Sequence, residues 1–556
     1  MVARALRPPQ TNRRDRLEFM NATRATEAAP QSSNGIIVTL QSLLVSFTFA
    51  MAFRGFIVEG FVIPTGSMAP TLIGAHVRLR SPMTGYEYAA DNAEVIGAAM
   101  TRQRGDRTIL DPMLSHQFAV AEIPNDELAA QGRMGDRVLV VKYLYPFTAP
   151  KRWDIVVFKN PTDPVGDAVY YIKRLVGMPD ETLLIADGDI FTGSSSANAD
   201  DLHIERKPEY IQRAVWQPVY DSDYQPTDIP RLETAMRRPW AGAPWIASDG
   251  WNIRGERAWT WAKNAEASLT WSNAIVPIDD WNAYNIYRHE LPLYPTSDVS
   301  VAAAIEVSDP TQFQTALDLS TRGLVCRFEF ANAQLVLSVK RAESLEVLAT
   351  TTQPFTPEAN KPIWLEMWHV DQELSVFING QRIANLPYDL GGPIKRILAS
   401  HFGRTLEQVL VNPTAQRPTP TGMHWTFDGS PFTMRRVEVK RDLYYRPDLL
   451  SANNQFPTNG QTIAGLAFAT DPTNLARVKA GEYVMFGDNS GASKDSRLWG
   501  RPHRLVTHEL GVASPFVVPS EMVIGKAWSV YFPAPLALNP GGRSFIPDFG
   551  RVRFIR

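Results

Sequence analysis

From Ile36 to Phe53 the chain reads IIVTLQSLLVSFTFAMAF, eighteen residues without a charge. As a helix rising about 1.5 Å per residue, this run covers roughly 27 Å, close to the apolar thickness of a bilayer. The apolar residues after Arg54 (GFIV) can extend it. A core helix keeps a polar stripe, whereas this segment is apolar nearly all round. Ala50-Met51-Ala52 has the small-residue spacing of a signal-peptide cleavage site. The lead-in of 35 residues is long, however, and the apolar run exceeds a usual signal-peptide core, so a retained anchor is expected. Six arginines (Arg4, Arg7, Arg13, Arg14, Arg16, Arg24) precede it against three acids. Positive flanks stay cytoplasmic. The expected topology is a cytoplasmic tail at 1–35, a single pass of the cytoplasmic (inner) membrane at 36–58, and everything later on the outer side.

Lysine and arginine number 56 against 58 acids, and that balance gives no reason to expect a nucleic-acid partner. One cysteine, Cys326, excludes an intrachain disulfide and a multi-cysteine metal site. The histidines are scattered without an HExxH or paired ligand spacing, so neither a metal nor another cofactor is expected.

The region after the apolar run reads as mainly β. GDRVLVVKYLY (135–145), WDIVVFKNP (153–161) and AVYYIKRLVG (168–177) are rich in Val, Ile and Tyr and bounded by turn residues. EYVMFGDN (482–489) and VIGKAWSVYF (523–532) resume that pattern, while about 80–132 is polar and irregular. Between the two groups, 200–445 holds 11 of the 14 tryptophans. It carries period-two strands and a hairpin signal at Asn379-Gly380, the composition of a type I′ turn. The expected architecture is a mainly β domain in two parts, 59–199 and 446–535, interrupted by an antiparallel β-sandwich at 200–445, with a tail at 536–556.

Three stretches could carry chemistry. In FVIPTGSMAPTL (61–72), Ser67 is either a turn hydroxyl or a nucleophile at the end of an extended segment. In YYIKRLVG, alternation sets Tyr171, Lys173 and Leu175 on one face and Arg174 on the other. A lysine on a buried face loses its proton more readily and can act as a base; alternatively its amine snorkels to a strand edge. GDNSGASKDSRLWG (487–500) is a polar loop in which Asp495 and Arg497 can pair, and Ser493 or Ser496 can bond a neutral lysine.

PTGSMAPT, then GDRVLVVK…RWDIVVFKNP…YIKRLVGMP, then GDNSGASKDSRLWG, in that order after an apolar span, resemble type I signal peptidases, membrane-anchored Ser/Lys proteases. The resemblance covers roughly 36–185 and 478–533. It implies Ser67 as nucleophile, Lys173 as general base, and the Thr65 hydroxyl with the Ser67 amide as oxyanion donors. It further implies Ser493 orienting the lysine, Asp495 and Arg497 bracing the site, and Arg174 as the basic residue after the lysine. The implied activity is endoproteolytic removal of signal peptides at Ala-x-Ala sites of exported preproteins. The implied partners are the membrane, those preproteins and the secretion machinery. Trp153 and Asp180 stand where the family commonly has glycine, both at turn positions. SPMTGYEY (81–88) resembles a CPxCGY zinc-ribbon half of some relatives without its cysteines, so no zinc role is expected.

The 200–445 region resembles laminin-G or concanavalin-like sandwiches, chiefly over 295–445. Tryptophans exposed on such a domain could stack on sugars, but large aromatics more often fill cores, and core packing is the reading preferred for them. Glycan binding by the insertion is thus unproven. Two rival functions remain: an anchored binding protein on a decayed protease frame, and a Ser/Lys peptidase serving one class of exported protein.

Overall fold

The computed structural model describes residues 35–91, 107–123, 132–145, 147–165, 170–285, 293–411, 413, 416–450, 457–458, 461–462, 465–534, 536–537 and 544–555. The Arg-rich leader at 1–34 and its expected placement lie outside the described residues. The chain divides into two units, Met1–Val58 and Glu59–Arg556. The described part of the first, residues 35–58, is chiefly the helix Gly35–Phe56 of 22 residues, and the strand Val58–Val62 begins at its last residue. Its stretch Gly35–Ala52 is long and apolar enough to cross a membrane, and none of it is buried.

The second unit is mainly β. Its first sheet runs in the order Val58–Val62, Arg137–Val141, Val523–Phe532, Ile155–Lys159, Tyr170–Gly177, Glu482–Phe486 and Val518–Pro519. Chain segments more than 300 residues apart are thus neighbours in one sheet. β-Branched residues fill it: Val138, Val140, Ile155, Val157 and Val530 pack with Ile63, Met68 and Leu72. The strand Tyr170–Gly177 pairs with Ile155–Lys159 along Tyr170 to Arg174. Its other edge pairs with Glu482–Phe486 only from Arg174 to Gly177.

Between these strands two seven-stranded antiparallel sheets enclose one core. Asn379 and Gly380 both have positive φ (50° and 82°), as a type I′ turn demands, and join paired strands at Ile378 and Gln381. Eight of the eleven tryptophans expected here are buried, among them Trp245, Trp259 and Trp425, and none is exposed. Six of them, Trp245, Trp251, Trp259, Trp261, Trp271 and Trp425, fill the core between the two sheets, as large aromatics commonly do.

The polar stretch 80–132, expected to be irregular, contains strands. His76–Arg80 pairs with Glu87–Asp91, and Arg107–Asp111 with Ser115–Ile123. The hairpin turn in SPMTGYEY is held by hydroxyls: Ser81 Oγ and Thr84 Oγ1 both donate to Asp111, the latter at 2.9 Å. In the first pair Val77 and Leu79 face Tyr88 and Ala90 in a small apolar cluster with Leu110, a two-residue alternation too brief to stand out from the polar residues around it.

A buried charge network ties the hairpin Glu181–Ser194 to the sandwich. Arg322 grips Asp187 (2.6 Å), Arg396 reaches Asp189 (2.9 Å) and Asp298 (3.3 Å), and Lys207 holds Asp371 (2.5 Å) and Asp442 (2.8 Å). Asp189, Asp298 and Asp371 lie close enough to share an ion. Their carboxylates, however, already pair with Arg396 and Lys207.

Candidate active site

Ser67 sits in a single helical turn, Gly66–Met68, that follows the extended Thr65. Ile63 before the serine and Met68 and Leu72 after it are buried in the core described above, so the loop is pinned on both sides of Ser67. The Ser67 hydroxyl meets Lys173 Nζ within hydrogen-bonding contact. Lys173 is 4% exposed. Burial disfavours its ammonium and pushes its pKa down to about 8, although Asp495 and Asp488 nearby favour the charge. A lysine so placed carries a useful neutral fraction near neutrality.

Thr65, Ser67 and Lys173 share a cleft of about 670 Å³. Its walls include Phe61, Ile63, Tyr170 and Ile172, with Asn489 and Lys494 at one side. Thr65, expected as an oxyanion donor, is exposed there. The open edge of Tyr170–Lys173 borders the same cleft, so an extended peptide can add to it as a strand.

Behind Ser67 and Lys173 stand two buried ion pairs. Asp495 takes Arg497 in a fork, Nε to Oδ1 at 2.9 Å and Nη2 to Oδ2 at 2.8 Å, both side chains fully buried. Asp495 also accepts the Gly487 N–H at 2.9 Å, which fixes the turn beside Ser67. Arg174 forks onto Asp488 at 2.8 and 2.6 Å and donates to the Trp153 carbonyl at 2.8 Å. Burial opposes both guanidinium charges, but the facing carboxylates outweigh it and hold each arginine above its ordinary pKa.

Ser493 lies beside Gly487 and the Ser67 backbone. A Cβ on Gly487 would fall 2.2 Å from Ser493 Oγ and 2.4 Å from the Ser67 carbonyl oxygen, so only glycine fits between them. The Ser493 hydroxyl is buried and has no hydrogen-bond partner among the described residues. The expected bond from Ser493 to Lys173 is therefore not made in this arrangement, in which Lys173 turns to Ser67 instead.

Sequence reasoning missed Asp488 and Asn489, which it treated as turn residues. Asp488 neutralises Arg174 and accepts Thr71 Oγ1. Asn489 donates its N–H to the Ser67 carbonyl at 3.1 Å and its side-chain amide to that of Gly66 at 3.0 Å. The signal available was the carboxylate and amide following Gly487, one of each, opposite a strand bearing Arg174. Trp153 and Asp180, flagged as standing at glycine positions, both have left-handed backbones (φ 77° and 61°). Burial of the Trp153 ring among Val176, Leu183 and Phe486 offsets that strain.

Residues 113–230 and 430–532 match the sequence model of a family described as signal peptidase, peptidase S26. The match takes in Lys173, Arg174, Ser493, Asp495 and Arg497 and begins after Ser67. A signal peptidase I from Leptolyngbya laminosa is 29% identical over 93 residues, 16% of this chain and 44% of that protein. A probable signal peptidase I-1 from Synechocystis sp. is 31% identical over 111 residues, 18% of this chain and 55% of its own. For a signal peptidase I from Pseudomonas fluorescens the figures are 37% over 87 residues, 15% and 26%. The matched stretches thus span between a quarter and just over half of these relatives' length. Among solved structures, the carbohydrate binding module CBM66 from Bacillus subtilis aligns with 36% of this chain and 97% of its own. Its identity is 9% and its TM-score 0.20, a likeness that carries no argument.

Proposed function

We propose that this chain, an S26-type signal peptidase by its two matched segments, is a membrane-anchored serine endopeptidase that removes signal peptides from exported preproteins. The observation that carries the reading is the contact of a buried, pKa-lowered lysine with a serine hydroxyl at the floor of an open cleft. Neutral Lys173 takes the Ser67 proton as Oγ attacks the scissile carbonyl, and the Oγ–C bond forms. The Thr65 hydroxyl and the Ser67 N–H stabilise the oxyanion, each typically worth about 3–4 kcal/mol. Lys173 then passes the proton to the leaving amine as the peptide bond breaks. It next takes a proton from water as the water oxygen attacks the acyl carbon, and returns that proton to Ser67 Oγ as the ester C–O bond breaks.

The helix Gly35–Phe56 holds the enzyme in the cytoplasmic membrane, with the cleft on the outer side. A preprotein anchored in the same bilayer is then presented at raised effective concentration. The segment around its Ala-x-Ala site pairs with the open edge of Tyr170–Lys173. The test is cleavage of a preprotein in vesicles containing the full chain, with the new N-termini read by mass spectrometry and Ser67→Ala as the blank. Cleavage after Ala-x-Ala by the wild type alone supports the reading. No cleavage by the wild type, or equal cleavage by the blank, defeats it.

A further inference from the structure

The sandwich's own sequence sends a short finger, Asp279–Asn285, onto the loop that carries Ser67. The finger lies between the strands Ala267–Trp271 and Val299–Val307 and ends in the helical turn Ala283–Asn285. Its base is closed by reciprocal bonds between Asp280 and Tyr294, at 3.0 and 2.8 Å. Arg446 pairs with the Asp280 carboxylate, and Arg441 donates to the Asp280 and Trp281 carbonyls at 3.1 and 2.7 Å. A polar segment anchored this firmly has a fixed end, and that end meets the loop at three points.

Asn282 Nδ2 donates to the Ala69 carbonyl at 3.1 Å. The Tyr284 hydroxyl donates to the Ala75 carbonyl at 2.8 Å. The Tyr284 ring, 3% exposed, lies so close on Gly66 that a Cβ there would fall 1.9 Å from Cε1. Asn285 exchanges two amide hydrogen bonds with Asn489, at 2.7 and 2.8 Å. That same Asn489 amide holds the Gly66 carbonyl, and its N–H holds the Ser67 carbonyl. Restraints from the finger therefore fall on both sides of Ser67, while none of the three residues lines the cleft.

We propose that the finger is a positioning element of the dyad: Asn282, Tyr284 and Asn285 fix the backbone around Ser67, so that the sandwich sequence completes the active site. The side chains of Ile63, Met68 and Leu72 anchor this loop in the core, and the finger adds direct restraint on the backbone at Gly66, Ala69 and Ala75. Loss of alignment by about 1 Å at a reacting group costs about a hundredfold in rate. The inference rests on the Ser67–Lys173 reading.

The test uses the full chain in detergent, with Asn285→Ala and Tyr284→Phe as the variants. Tyr284→Phe keeps the ring and removes only the hydroxyl, so it stays folded if Asn285→Ala does not. Lys361→Ala, at an exposed sandwich position, is the control. Two readouts are taken: hydrogen exchange of the 66–75 amides, and kcat and KM on a preprotein. Expected are faster exchange in 66–75 and a fall in kcat of about tenfold or more, with KM within about twofold. Exchange at wild-type rates in a folded variant overturns the proposal, as does an unchanged kcat with loosened exchange. A wild type that cleaves nothing defeats the peptidase reading through the kinetic arm, whereas the exchange arm reports on the clamp alone, so the two failures are distinguishable.

Discussion

Lys173→Met is expected to abolish cleavage and, at pH 7, to stabilise the fold. Methionine fills the same buried volume without an amine, so Ser67 loses its base; removing one member of a catalytic unit costs on the order of 10⁴-fold or more in kcat. The stability gain has a different origin. Burial lowers the folded-state pKa of Lys173 from 10.5 to about 8, so the unfolded chain binds the proton more tightly. Below about pH 8 the folded protein carries that penalty in full, up to about 3 kcal/mol. Between about 8 and 10.5 the penalty shrinks, and above 10.5 it vanishes. Denaturant unfolding of Lys173→Met against wild type at pH 7 and pH 10.5 checks both halves. A variant less stable than wild type at pH 7 contradicts the account of a desolvated lysine.

The second large effect belongs to Asp488→Ala. The Arg174 and Asp488 side chains are both fully buried, and the guanidinium also donates to the Trp153 carbonyl. Removing the carboxylate leaves a buried charge unpaired, a change that typically costs about 3–5 kcal/mol. The damage is not confined to stability. Asp488 follows Gly487, precedes Asn489 and accepts Thr71 Oγ1, so the turn that supports Ser67 moves with it. Unfolding should shift by that amount, and cleavage should fall even at temperatures where the variant is folded. Arg174→Met combined with Asp488→Leu should recover much of the stability, because a matched apolar pair replaces an ion pair at little net cost. A double variant as unstable as Asp488→Ala would show that the pair's geometry, not its charge, is what the core requires.

Much of the sheet was legible because its strands are runs rich in Val, Ile and Tyr bounded by turn residues, the central ones buried on both faces. The alternation of YYIKRLVG placed Lys173 and Arg174 on opposite faces, and the two side chains do take different partners, Ser67 and Asp488. Asn379-Gly380 announced its turn because few other residues tolerate positive φ twice in succession. Trp153 and Asp180 were legible as anomalies, and both have the left-handed backbone that makes them so. What escaped is long-range and polar. Tyr284 lies 218 positions beyond Gly66 and carries no periodic signal, yet its ring seats the loop. Asp488 looked like one more turn residue until a partner 314 positions away was brought against it. The strands within 80–132 were hidden because their apolar alternation is brief, as at Tyr88 and Ala90, and their turn is set by Ser81, Thr84 and Asp111.

The pH dependence of preprotein cleavage tests the central claim most directly, because it asks which group gives up its proton. With Lys173 as the base, the rate rises about tenfold per pH unit up to about 8 and levels off above it. A rate that is flat from about pH 6 to 10, or that levels off near the ordinary histidine value of about 6.5, would contradict a lysine base.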